Sequence, residues 1–151
     1  MTTTKASMSH EIVAIALRWF EEVWNQRRRE VVYELLTPSS VCESETGQLT
    51  GPDGFLEKAY EPFITLFPDL RVTVDDTVAE DDRVVVRWHA VGTHAGEGFN
   101  IPPTGRRITI RGMTWMRIKG GKLVYGMDCW NQSGLMQALQ ETKPSPSIAI
   151  D

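Results

Sequence analysis

The sequence predicts an α+β domain in which helices cover one face of a curved antiparallel sheet. Three observations carry this expectation. Apolar residues recur at helical spacing as far as Ile64, they alternate from Leu70 to Trp130, and short polar turns interrupt the alternating part. Helices first and a long meander afterwards are the order expected when helices gather on one face of an antiparallel sheet.

Ser9 suits the N-cap of a helix running to about Arg28, because Ile12, Ile15, Ala16, Trp19, Phe20 and Val23 share one face. Val31 to Leu36 suggests a second helix that stops before Pro38. Gly51 and Pro52 open a third, with Phe55, Leu56, Ala59, Tyr60, Phe63 and Ile64 on one side. Pro62 has no N–H and should kink or split it, and Phe67-Pro68-Asp69 should end it. Strands are expected at 70–79, 83–94, 107–118 and 123–130, joined mostly by short turns. The connection from 95 to 106 is longer, rich in Gly and Pro, and suited to rim a pocket. A last helix is expected at about 133–140. Residues 1–141 then form a single domain, and 142–151, with two prolines and few large side chains, read as a loose tail.

A chain of 151 residues can bury roughly two thirds of its unfolded surface, so a real core and an internal pocket are both within reach. With 41% apolar and 24% charged residues, disorder is not the default. The net charge of −4, and a basic run, Arg27 to Arg29, that is short and flanked by Glu30, leave no stripe for a phosphate backbone. Nucleic acid is not an expected partner. Cys42 and Cys129 lack the spacing of a metal site or disulfide framework and read as buried, reduced thiols; no metal is expected. No apolar run approaches the roughly 18 residues of a membrane span, and residues 1–9 lack a signal peptide's apolar stretch, so the expectation is a cytoplasmic protein.

Alternation assigns faces to the strands. Val84, Val86, Trp88, Ala90, Gly92 and His94 should face the helices, as should Ile108, Ile110, Gly112, Thr114, Met116 and Ile118. The stretch GKLVYGMDCWN, residues 121–131, places Asp128 inside a strand, where Asp is among the least used residues. A three-residue loop with a bulge at Gly121 would pair Ile118 with Lys122 and set Asp128 inward, opposite Gly112. A two-residue Gly-Gly turn would shift the register by one and set it outward. Turn chemistry alone leaves both open.

The segments FEEVWNQ (20–26), FPDL (67–70), VVVRW (84–88), GTHAGEGFNIPPTGR (92–106) and GGKLVYGMDCWNQSGLMQAL (120–139) stand in an order and spacing that resemble the SnoaL-like polyketide cyclases. The resemblance spans Phe20 to Leu139. It implies the cone-shaped α+β barrel that the family shares with nuclear transport factor two, ketosteroid isomerase and limonene epoxide hydrolase. It also implies the inward Asp: Asp128 occupies the position of the family's acid/base Asp for intramolecular aldol closure. Where the family often has a Trp before this Asp and a second Asp near the last helix, this chain has Met127 and Asn131.

An inward Asp128 near Gly112, Gly126 and Trp130 would lose water, and its pKa would rise toward working pH; the plainer reading is a surface or structural Asp. Gly112 and Gly126 either clear room for a ligand or bend the sheet. His94 either contacts a substrate carbonyl or relays a proton, or it anchors its loop. Trp88, Trp130, Tyr60 and Phe63 are pocket candidates with core packing as the alternative, and Thr114 is a candidate hydrogen-bond donor. Arg87, Arg111 and Arg117 should point outward, against an epoxide-hydrolase arrangement. Glu43 and Glu45 are the carboxylates an isomerase-type base would need, without a visible oxyanion-hole Tyr.

The function read from this is a cofactor-independent enzyme of the polyketide-cyclase type, acting on a small apolar or polycarbonyl ligand through Asp128. The alternative is a non-catalytic small-molecule-binding or dimerisation domain of the same fold. Met113, Trp115, Tyr125 and Met127 gather on the outer face, which points to a homodimer or higher oligomer.

Overall fold

A computed structural model describes residues 2–141 and 145–151. Helix α1 (Thr2–Arg18) starts ahead of the Ser9 cap and passes without a break into a π-helical segment (Trp19–Asn25). Ile12, Ala16, Trp19, Phe20 and Val23 are all buried, and the wider turn lets the adjacent Trp19 and Phe20 both face inward. Arg27, at a φ of 61°, turns the chain into α2 (Arg29–Leu35). Its guanidinium donates to the carbonyls of Pro68 (3.0 Å) and Leu70 (2.8 Å).

Helix α3 (Gly51–Phe55), a second π-helical segment (Leu56–Tyr60) and α4 (Glu61–Leu66) form one continuous helix. The kink expected at Pro62 takes this form. Pro62 has no N–H for the carbonyl of Lys58, and the turn before it widens so that the Glu61 N–H reaches the Leu56 carbonyl.

Strands β3 (Arg71–Glu80), β4 (Arg83–Thr93), β5 (Arg107–Lys119) and β6 (Lys122–Cys129) fall where the alternation puts them, and α5 (Gln132–Leu139) follows. Periodicity misses three strands. β1 (Leu36–Ser44) and β2 (Gly47–Thr50) form a hairpin in which Pro38 and a bulge between Leu36 and Val41 hide the alternation. β7 (Ser147–Ile150) pairs with β5 at Arg107–Ile110, beyond the point where β6 ends opposite Met113. The loose tail expected from 142 is therefore corrected over 147–150, where Ile148 and Ile150 alternate with Ser147 and Ala149 and are half-buried; residues 142–144 lie outside the described residues.

The α+β class and the helix-covered curved sheet hold, but the sheet is mixed and unclosed rather than wholly antiparallel. Its order is β2-β1-β6-β5-β4-β3, with β1 parallel to β6 and β7 parallel to β5. The assigned inner residues of β4 and β5 are buried, with Gly112 partly so. At the edge, the Asn25 amide pairs with both backbone groups of Val72 (2.7 and 2.8 Å), fixing the end of the first helix to β3.

The last hairpin resolves the register in a way that neither alternative contained. Gly120 and Gly121, at φ of 57° and 75°, make the two-residue turn, and Lys119 lies opposite Lys122. A bulge at Val124 follows, because Ile118 pairs with Leu123 and Arg117 with Tyr125. The extra residue reverses the parity once more. Asp128 faces inward after all, opposite Thr114 and not Gly112.

Gly112 and Gly126 differ in what surrounds them. A Cβ on Gly112 would stand 2.7 Å from Trp88 Cζ2, 2.8 Å from Trp130 Cβ and 2.9 Å from the Cys129 carbonyl, whereas on Gly126 it would meet Leu123 Cδ2 at 3.6 Å. Gly112→Ala should therefore destabilise the fold by about 1–3 kcal/mol in chemical denaturation, and Gly126→Ala by less than about 1 kcal/mol. Equal losses at the two positions would contradict the packing described.

Candidate active site

Between the helices and the sheet lies a cavity of about 200 Å³. One water needs roughly 10–15 Å³, so this space is a pocket and not a packing defect. The helices contribute Trp19, Phe20, Trp24, Phe55, Ala59 and Phe63, the sheet contributes Trp88, Ala90, Ile110, Thr114, Met116, Gly126 and Asp128, and Trp130 joins them just after β6. Aromatic edges meet faces around the wall: Trp24 and Phe55 centroids are 5.9 Å apart at 89°, and Phe63 and Trp130 are 5.6 Å apart at 79°. The exposed Thr46, Gly47, Gln48, Lys58 and Phe99 form the mouth.

Asp128 has an exposed surface, and what it faces is this cavity together with a more open recess lined by Ser44, Glu45, Gly47, Met127 and Cys129. Protein atoms crowd the carboxyl, and that burial pushes its pKa above the ordinary carboxylate value. A hydrogen bond from Thr114 Oγ1 to Asp128 Oδ1, 2.7 Å long, acts against the rise. Thr114 Oγ1 in turn accepts from the Trp88 indole Nε1–H at 3.0 Å. Cys42, on the neighbouring strand β1, also lines the cavity, and burial pushes its thiol up to about 12.

The structure thus brings Asp128, Trp88, Thr114, Gly126, Trp130 and Phe63 to one cavity. Three other candidates lie off its wall. His94 is fully buried behind it, its Nδ1 held by Thr104 Oγ1 (2.9 Å) and the Thr104 N–H (3.3 Å), its ring against Phe67 at 5.8 Å. Burial first, and then the charge of Arg106, lower its pKa, so it stays neutral and anchors the 95–106 loop. Tyr60 packs behind Trp24 (5.3 Å) with Arg29 over its ring (5.9 Å). Gly112 is filled over by Trp88 and Trp130 and gives a ligand no room.

The acidic residues considered for isomerase chemistry are engaged elsewhere. The Glu43 carboxylate accepts from Tyr125 Oη–H and Gln48 Nε2–H, and Glu45 accepts from the Gln132 and Ser133 N–H groups and the Ser133 hydroxyl, capping α5. Arg87 and Arg111 are exposed, and Arg117 lies 5.5 Å over the Trp115 ring on the outer face. Cys129 is exposed, not buried as expected; both cysteines are free. Among the described residues, no three His, Cys, Asp or Glu side chains gather into a metal-binding group.

Sequence reasoning placed Trp19, Phe20 and Phe55 in the core and did not single out Trp24 or Phe99. A cavity wall and a packed core call for the same apolar side chains at the same helical spacing, so the pattern carries no signal that separates them.

Because the folded-state pKa of Asp128 is raised, its ionised form costs stability above that pKa and the cost vanishes as pH falls through it. Asp128→Asn should therefore melt at or above the wild-type temperature at neutral pH, and the difference should shrink in acid. A variant less stable at neutral pH than in acid, relative to wild type, would contradict this. Such a gain on removing a site residue is the usual sign that a group is held for function at the expense of stability.

The family model for SnoaL-like polyketide cyclases matches residues 14–139. Among solved structures, a candidate SnoaL-like polyketide cyclase from Jannaschia sp. CCS1 superimposes with a TM-score of 0.80 at 24% identity, covering 90% of this chain and 95% of that one. AclR from Streptomyces galilaeus, a candidate hydroxylase, follows at 0.76 with 28% identity, covering 91% of this chain and 86% of its own. IdmH from Streptomyces antibioticus, a candidate polyketide cyclase, gives 0.73 with 26% identity, covering 85% and 96%. No curated protein matches the chain significantly.

Proposed function

The chain belongs to the SnoaL-like polyketide cyclase family, and from that premise we propose that it closes a ring by intramolecular aldol addition, with Asp128 as the acid/base. The observation that carries this reading is a carboxylate of raised pKa, anchored on one oxygen, in an aromatic-lined apolar cavity. A carbon acid needs such a base, one strong enough at working pH to take an α-proton.

The Asp128 carboxylate removes a proton from the carbon between two carbonyl groups of a polycarbonyl ligand. The resulting enolate carbon attacks a carbonyl carbon of the same molecule, a C–C bond forms, and the carbonyl electron pair moves to oxygen. That oxygen takes the proton back from Asp128, giving a β-hydroxy ketone and restoring the base. Delocalisation over the ligand's carbonyls carries the enolate charge, so the reaction as written draws on no cofactor. Trp88, Trp130 and Phe63 offer ring faces and edges to a flat ligand, and Gly126 leaves space beside the carboxylate.

Asp128→Asn keeps the shape and removes the base, and turnover of a cyclisable polycarbonyl substrate should fall by about 10²-fold or more while ligand affinity persists. Wild-type turnover should rise with pH through the carboxyl's elevated pKa. Gly126→Val should lose ligand binding and turnover together without unfolding. Undiminished turnover in Asp128→Asn would refute the acid/base role and leave a small-molecule-binding domain as the better account.

The same reading includes a homodimer through the outer sheet face. Met113 is 52% exposed there, and Trp115 and Tyr125 meet with centroids 5.7 Å apart. Arg111 and Arg117 lie on the same face as Glu43, which bonds Tyr125, so a copy related by a twofold axis would set opposite charges against each other. Sedimentation at micromolar concentration should give a dimer, and Trp115→Arg a monomer; a wild-type monomer would overturn the assignment.

A further inference from the structure

We propose that Trp88 and Thr114 form a one-way hydrogen-bond relay that holds Asp128 by Oδ1 and leaves Oδ2 as the oxygen that exchanges protons with a ligand. The proposal rests on reading Asp128 as the acid/base. It makes Thr114 a positioning residue where the sequence suggested a ligand-binding one.

Direction follows from donor and acceptor counts. An indole N–H donates and cannot accept, so at 3.0 Å from Trp88 Nε1 the Thr114 oxygen must be the acceptor. The hydroxyl then has one proton left to place, and Asp128 Oδ1 at 2.7 Å receives it. Oδ2 carries no hydrogen bond from the described residues, and Asp128 lines the cavity. The relay crosses three adjacent strands, β4, β5 and β6, and it depends on both special features of this sheet. The bulge at Val124 sets Asp128 opposite Thr114. Gly112, opposite Trp88 in the ladder, leaves room for the indole, because a Cβ there would stand 2.7 Å from Trp88 Cζ2.

An anchored Oδ1 has two chemical effects. The two oxygens become inequivalent, so a proton taken from a ligand carbon rides on Oδ2 and is returned to the same side of the cavity. The donated hydrogen bond also favours the carboxylate over the acid, opposing the rise that burial causes. The other titratable groups about the cavity are Cys42 from β1, neutral because its thiol is pushed up to about 12, and Glu43 and Glu45, held by Tyr125, Gln48 and the start of α5. Lys58 stands at the mouth.

The test is a carboxyl ¹³C NMR titration of the ligand-free protein, with the Asp128 signal assigned from its loss in Asp128→Asn. In Thr114→Val the Asp128 midpoint should move to higher pH, and Thr114→Ser should return it to the wild-type value. Trp88→Phe should move it the same way by less, since the hydroxyl is then free to rotate. An unmoved midpoint in folded Thr114→Val would overturn the relay. Should that variant not fold, the wild-type protein decides: the Trp88 indole N–H resonance should shift through the Asp128 titration, and a resonance that stays fixed refutes the proposal. No turnover enters this experiment. A relay that passes beside an Asp128→Asn variant that keeps full turnover would count against the proposed function alone.

Discussion

The chemistry available to the cavity depends on one extra residue in one strand. Without the bulge at Val124, the two-residue Gly120-Gly121 turn would carry β6 through with Asp128 on the outer face, among Met127's neighbours. With it, Gly126 and Asp128 turn inward, and Tyr125 and Met127 turn outward. A cavity with apolar walls but no carboxylate would bind and do little else. The same half-turn of register also assembles the outer cluster of Trp115 and Tyr125, so the inner site and the candidate dimer face are set together.

An inward Asp beneath a ring of aromatic side chains is a local conflict in an otherwise consistent fold. The helices bury Trp19, Phe20 and Val23, the strands bury Val84, Val86, Ile108 and Met116, and each choice agrees with its neighbours. Asp128 does not agree: burial raises its pKa, and a single hydroxyl opposes that. Gly112 is a second departure, a poor strand residue required because Trp88 and Trp130 close over it. Breaches of local rules that stand side by side, and are tied by one hydrogen-bonded chain from Trp88 to Asp128, mark a site more strongly than either alone.

The parts of this arrangement that the sequence makes legible are those governed by period. Strands β3 to β6 and the inner faces of β4 and β5 follow from alternation that long runs repeat many times over. β1 escapes because Pro38 and a bulge break its pattern, and β7 because four residues are too few to show a period. At the site, Trp88, Thr114 and Phe63 are legible as inward or helix-face residues, whereas Asp128, Gly126 and Trp130 are inward only through the resemblance, because turn chemistry leaves their register open. His94 stays open between two readings because an inner-face histidine looks the same whether it meets a cavity or a loop, and here Thr104 and Phe67 enclose it. Gly112 is misread because a missing side chain shows where space is needed but not what fills it. The opposition of Asp128 to Thr114 lies beyond sequence altogether, since it rests on a bulge whose position no residue type announces.

The central claim is that Asp128 removes protons from carbon inside this cavity, and it can be tested without the natural substrate. In deuterated water, proton NMR follows exchange at the α-carbon of an enolisable aromatic ketone such as 2-tetralone, with and without protein. The account predicts that the wild-type protein accelerates the exchange, that the acceleration grows with pH through the Asp128 titration, and that Asp128→Asn abolishes it. Equal acceleration by the wild type and by Asp128→Asn would contradict it.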